Sequence, residues 1–112
     1  MASIYVDQGN AGPGDGTVGN PFKTIGSAIA DANFRPLPEV VNIYVEDGTY
    51  TETLVINDRG NLNFIATNGP TGAIIQPGSG YAFSISGDLG TPLSPDASGQ
   101  TVPTIYVVRL NG

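Results

Sequence analysis

A strand-sized apolar patch returns about every twenty residues along this chain. Ile43-Tyr44-Val45 is followed by Leu62-Asn63-Phe64-Ile65, then Ala82-Phe83-Ser84-Ile85, then Ile105-Tyr106-Val107-Val108. A second series, Thr53-Leu54-Val55-Ile56 and Ala73-Ile74-Ile75-Gln76, is interleaved with the first at the same spacing. Units that cannot bury an apolar face alone must stack on their neighbours, so a shared period of this size predicts a repeat architecture. Strand-length patches separated by short corners predict an all-β parallel solenoid, in which each coil touches only the coils beside it.

Composition agrees with many short strands. Sixteen glycines and nine prolines in 112 residues supply turn conformations, and 39% apolar residues suffice for one narrow core. The length predicts a single domain spanning residues 1–112, with residues 1–39 as an N-terminal strand, glycine-rich loop and helix, and 40–112 as coils. The net charge of −6 opposes phosphate backbones and anionic bilayers, which argues against nucleic acid as a partner. No apolar run has the length needed to cross a bilayer, so membrane insertion is not expected. The absence of cysteine removes disulfides and thiolate metal sites; the absence of histidine removes the commonest general base and zinc ligand. The first residues, Met1 to Asp7, enter a strand at once and do not read as a signal peptide.

Ile4 to Asp7 reads as the first strand, and residues 8–20 as a loop rich in glycine. Ile25, Ala28, Ile29 and Ala32 fall at i, i+3, i+4 and i+7, which predicts a helix over about residues 24–33 with Thr24 as its N-cap. Val40 to Glu46 is a predicted strand, Asp47-Gly48 a turn, and Tyr50 to Ile56 an extended segment with Tyr50, Glu52, Leu54 and Ile56 on one side. Residues 87–104 interrupt the pattern and read as a long excursion before a last strand over Thr104 to Leu110.

Several of these segments together resemble a known family. Ile4-Tyr5-Val6-Asp7, Gly14-Asp15-Gly16-Thr17, and Asn20-Pro21-Phe22-Lys23-Thr24-Ile25 leading to Ala28 and Ala32 resemble the opening of pectate-lyase-like proteins. Ile43-Tyr44-Val45 with Asp47-Gly48-Thr49-Tyr50-Thr51-Glu52 continues the likeness, which covers about residues 4 to 56. The resemblance implies a right-handed parallel β-helix whose N-terminal end is plugged by the helix, with Tyr50 closing the first rung near Gly48. It specifies fold more than activity, since that superfamily includes polysaccharide lyases, hydrolases and epimerases, phage tailspikes and secreted surface proteins.

Lyase chemistry of that kind uses clustered carboxylates to hold calcium and a basic residue to remove a proton. Glu46, Asp47, Glu52 and Asp58 are the candidate carboxylates here, with Arg59 or Arg109 as base. The plainer reading makes Asp47 and Asp58 corner residues and Glu52 a solvated strand residue. Asp7 and Asp15 could together hold a calcium ion and tie the glycine loop to the first strand; no other cofactor is indicated. Tyr5, Tyr44 and Tyr106 occupy like positions between inward-facing Ile and Val, so they should face outward and could stack on sugars.

These features favour a non-catalytic module, with catalysis left undecided. A coil series ending on a bare strand would present Ile105, Val107 and Leu110 to another copy of itself or to further coils of a longer chain. The expected role is an extracellular structural or adhesion module, at a cell surface or on a virion appendage, that self-associates and could form filaments. The alternatives are a carbohydrate-binding module whose partner is a polysaccharide, and the N-terminal part of a polysaccharide lyase or hydrolase-like enzyme.

Overall fold

The computed structural model describes residues 2–10, 14–35, 39–57, 59–68, 72–77, 83–87, 89–91, 97, 99–102, 104–106 and 109–110. In chain order the elements are β1 (Ala2–Val6), α1 (Ile25–Asn33), β2 (Val41–Val45), β3 (Gly48–Tyr50) and β4 (Leu54–Asn57), then β5 (Leu62–Ala66), β6 (Ala73–Ile75), β7 (Phe83–Ser86), β8 (Thr104–Tyr106) and β9 (Arg109–Leu110). The strands form three sheets, ordered β1-β2-β5-β8, β3-β6-β9 and β4-β7, and every strand pair is parallel.

Alternation along the strands decides which residues enter the core. Successive side chains point to opposite faces, and Ala2, Ile4 and Val6 are buried, as are Val41, Ile43 and Val45, and Leu62, Phe64 and Ala66. Tyr50, Leu54, Ile56, Ala73 and Ile75 complete the same apolar cluster from the other two sheets. Phe83 packs edge-on to Phe64, with ring centroids 5.3 Å apart.

The predicted solenoid is corrected by these pairings. Among the described residues the protein is mostly strands in small, separate parallel sheets of two to four members, with one helix, and no coil of fixed period is built. Paired residues in the first sheet lie 39, 21 and 41 positions apart, as in Ala2 with Val41, Val41 with Leu62, and Asn63 with Thr104. The other sheets pair residues 25, 35 and 29 apart. The interleaved apolar series also split differently from the spacing argument. Phe83 lies beside Leu54 rather than continuing the Ile43–Phe64 row, and Ala73 lies beside Gly48 rather than beside the 53–56 segment. Apolar spacing reports how often the chain returns to the core; it carries no information on which strand each return meets.

The expected extended run from Tyr50 to Ile56 is broken between β3 and β4, and Glu52 accounts for the break. Its two carboxylate oxygens accept hydrogen bonds from the backbone N–H groups of Ile25 (2.8 Å) and Gly26 (2.9 Å) at the start of α1. A helix leaves its first N–H groups unpaired and carries partial positive charge there, so a carboxylate arriving from a distant segment meets both needs. Thr24 caps the same end by accepting from the Ser27 N–H at 3.2 Å. The buried stripe Ile25, Ala28, Ile29 and Ala32 then seats the helix against β1, β2 and β4.

Arg59 holds the crossing from α1 to β2. It is 4% exposed, and its guanidinium donates to the carbonyls of Arg35 (2.9 Å) and Glu39 (3.2 Å). Burial pushes its pKa below the usual arginine value; the group stays charged because an arginine starts from so high a value. Arg59 is thus committed to backbone carbonyls, which corrects its reading as a base.

Removing Glu52 should loosen the helix without unpairing the strands. Glu52→Ala is expected to lower unfolding free energy by about 2 kcal/mol, the scale of charge-assisted hydrogen bonds, read from the urea midpoint. Arg59→Lys cannot reach two carbonyls with one fork and should cost about 1–3 kcal/mol for the stranded acceptor. The same titration checks it, and an unchanged midpoint would refute the role given to either residue.

Candidate functional site

Three places in the structure gather polar or aromatic side chains: the outer face of the four-stranded sheet, a cleft beside the helix start, and the corner at Gly60-Asn61.

On the outer face, parallel pairing puts like positions side by side. One row runs Tyr5, Tyr44, Ile65 and Tyr106 across β1, β2, β5 and β8. The Tyr5 and Tyr44 rings stack with centroids 5.1 Å apart and planes 17° from parallel. That spacing follows from the distance between neighbouring strands, roughly 4.8 Å. The adjacent row runs Ser3, Asn42, Asn63 and Thr104, and Asn63 donates from Nδ2 to Oδ1 of Asn42 at 2.8 Å. In each row one neighbouring pair is joined, Tyr5 with Tyr44 and Asn63 with Asn42. Tyr5 and Tyr44 are half-buried, and each turns one ring face toward the other.

The cleft has a volume of about 290 Å³ and is lined by Gln8, Lys23, Thr24, Tyr50, Thr51 and Glu52. Most of its polar groups are already bonded. The Tyr50 hydroxyl donates to the Glu46 carbonyl (3.0 Å) and accepts from the Gln8 N–H (3.2 Å), and Gln8 Nε2 donates to the Thr49 carbonyl (2.5 Å). Glu52 is held by the helix. Burial, followed by the charges of Asp7, Glu46 and Glu52, pushes the Tyr50 phenol up to about 12. The cleft is therefore a joint between β1, β3 and α1.

The predicted calcium ligands Asp7 and Asp15 each accept hydrogen bonds from their own turns. Asp7 Oδ1 accepts from the Gly9 N–H at 2.9 Å, and Asp15 Oδ1 accepts from the Thr17 N–H (3.1 Å) and hydroxyl (2.7 Å). Each carboxylate thus closes its own turn two residues on. The Thr17 hydroxyl, then its N–H, holds the Asp15 carboxyl below its usual pKa. Glu46 accepts from Asn68 Nδ2 at 3.3 Å, Glu52 serves the helix, and Asp58 lies outside the described residues. Among the described residues no group of three or more His, Cys, Asp or Glu could hold a metal ion.

Of the predicted assembly residues, Ile105 and Leu110 belong to β8 and β9, and Val107 lies outside the described residues. Arg109 stands in β9 opposite Ile74.

Residues 57–61 read from the sequence as a corner, and the structure ties that corner, at Gly60-Asn61, to residues 99–101. Gln100 is 2% exposed and its Oε1 accepts from the Gly60 N–H; Asn61 donates from Nδ2 to the Gly99 carbonyl at 3.2 Å. Asn61 also takes the N–H and hydroxyl of Thr101 on Oδ1 and adopts a positive φ of 55°. A Cβ at Gly60 would collide with the carbonyl oxygens of Thr101 and Leu89. The late part of the segment read as an excursion is thus anchored to this corner at residues 99–101. An Asn-rich Gly corner was the available signal, since Asn tolerates the left-handed conformation.

No family model, curated protein or solved structure matches the chain. Among the described residues no helix is long and apolar enough to cross a membrane.

The Tyr50 phenol gives a pH signature. Its folded pKa lies above the value near 10 of an unfolded chain, so the stability it contributes is complete below pH ~10. That contribution is lost as pH rises through about 12. Tyr50→Phe should remove this alkaline loss and lower neutral-pH stability by about 1–3 kcal/mol, because the Gln8 N–H and Glu46 carbonyl lose a partner. Urea titrations at pH 7 and pH 11 check both halves.

Proposed function

We propose that this chain is a non-catalytic structural module that associates with copies of itself through the strand edges that come last in chain order. One observation carries the reading. In β4 the inward row is shut from water, with Leu54 and Ile56 1% and 0% exposed, whereas Ile85, in register with Ile56 on β7, is 41% exposed. The core row continues into β7 and runs out of cover there.

The sheet edges support the same reading. Each of β7, β8 and β9 has one strand neighbour among the described residues. A strand with open N–H and C=O groups is a template for another chain. The opposite edges are partly covered. Tyr5 donates to the Gly16 carbonyl and accepts from the Phe22 N–H, and Asp7 donates to the Phe22 carbonyl. The Gln8 side chain covers the Thr49 carbonyl on β3, and α1 lies against β4.

Sugar binding by the tyrosine row is the weaker reading. Sugars stack on open ring faces, and Tyr5 and Tyr44 spend one face each on the other. An extracellular setting belongs to the proposal as the place where such a module would serve in adhesion.

Sedimentation equilibrium tests the reading: the mass should rise above the 11.5 kDa of one chain as concentration increases. Ile85→Lys should weaken association about tenfold or more, since it withdraws a buried aliphatic contact of about 1.5–3 kcal/mol and adds a charge at the edge. Because Ile85 is exposed within one chain, its urea midpoint should barely move at low concentration. A one-chain mass up to the solubility limit would refute self-association.

A further inference from the structure

We infer that Tyr5 and Tyr44 are a site of oxidative cross-linking, at which a haem peroxidase with hydrogen peroxide joins the two rings as dityrosine and staples β1 to β2. The inference does not rest on self-association, because both rings belong to the same copy.

Register makes the pair. Tyr5 lies opposite Tyr44, flanked by Ile4 opposite Ile43 and Val6 opposite Val45. All four of those neighbours are buried, so alternation sends both tyrosines to the outer face of the sheet. There the ring centroids are 5.1 Å apart and the planes 17° from parallel. Two residues 39 positions apart in sequence are thus held ring to ring. Neither strand can slip by one residue without turning its apolar row out of the core. Both rings are half-buried, so part of each stays open to an oxidant. Tyr50 differs on each count: it is 2% exposed, and its hydroxyl is bonded to the Glu46 carbonyl and the Gln8 N–H.

The chemistry balances with one peroxide per link. The oxidised haem takes one electron and one proton from each phenol hydroxyl, which leaves two phenoxyl radicals. The peroxide gains those two electrons and two protons and becomes two waters. Each unpaired electron is shared with the Cε carbons beside the oxygen, and the two pair as a new Cε–Cε bond. The hydrogen on each bonded Cε then moves to its oxygen and restores the phenol. Held ring to ring, the two radicals need no diffusional search for each other. The chain has no cysteine, so no disulfide can fix its first strand. A dityrosine does the same physical work by restricting the unfolded chain.

The test treats the full chain, dilute, with a haem peroxidase and hydrogen peroxide, and a parallel reaction with free tyrosine shows that the oxidant is active. The expected product has the mass of one chain less two hydrogen atoms, the blue fluorescence of dityrosine and a raised urea midpoint. Trypsin cuts after Lys23 and leaves Tyr5 and Tyr44 in separate peptides, which the bond should hold together. Tyr5→Phe and Tyr44→Phe keep both rings, and each should lower the one-chain yield about tenfold or more. Tyr106→Phe should leave it unchanged, since Ile65 stands between Tyr44 and Tyr106 in the row. Oxidation above the urea midpoint should erase the preference, because register no longer holds the rings. An active oxidant that forms no one-chain dityrosine would overturn the inference. A yield that survives Tyr44→Phe, or a Tyr5–Tyr44 bond formed equally well in urea, would do the same.

Discussion

Everything in this fold depends on where the backbone N–H and C=O groups of its parallel strands are spent. Each strand divides its groups between two sides, so a sheet satisfies its interior strands and leaves its first and last ones half open. The molecule treats those two ends unequally. At β1 the glycine-rich loop returns alongside, and Gly16 and Phe22 take the groups that a neighbouring strand would otherwise take. The loop is rich in glycine for a local reason: at Gly14 and Gly16 the chain adopts positive φ, and at Gly14 a Cβ would collide with the backbone of Pro21 and Phe22.

The polar residues that matter most here are joints between distant segments. Glu52 reaches from between two strands to a helix start, Arg59 grips the carbonyls on either side of a crossing, and Gln100 and Asn61 tie a late segment to an early corner. In a chain without disulfides, with strands of two to five residues, such joints take over the work of fixing one segment against another. Buried polar groups of this kind are costly unless satisfied, so each also selects against arrangements that would leave it alone.

How legible this was from sequence varied with the range of the interaction. The helix was readable, because Thr24 and the stripe Ile25, Ala28, Ile29 and Ala32 are local signals, and the structure has it at Ile25–Asn33. The apolar rows were readable as strands for the same reason. Their partners were not. Leu54 with Phe83 and Gly48 with Ala73 are choices made by corner geometry, and apolar spacing is indifferent to them. Assuming one period led to a regular solenoid, whereas actual separations range from 21 to 41 residues. Glu52 and Arg59 were noticed as chemistry and turned out to be architecture, because a carboxylate or guanidinium reads alike in sequence whether it faces a substrate or a helix end.

The tyrosine row shows how the same physical rule serves both cohesion and assembly. Parallel in-register pairing places Tyr5 against Tyr44, and the stack between them stabilises the edge that is already partly covered. Across the sheet the row passes through Ile65 to Tyr106 on β8, the sheet's last strand among the described residues. Register thus sets like positions side by side within one chain, and the same rule would act on any strand that the proposed association adds at the later edges.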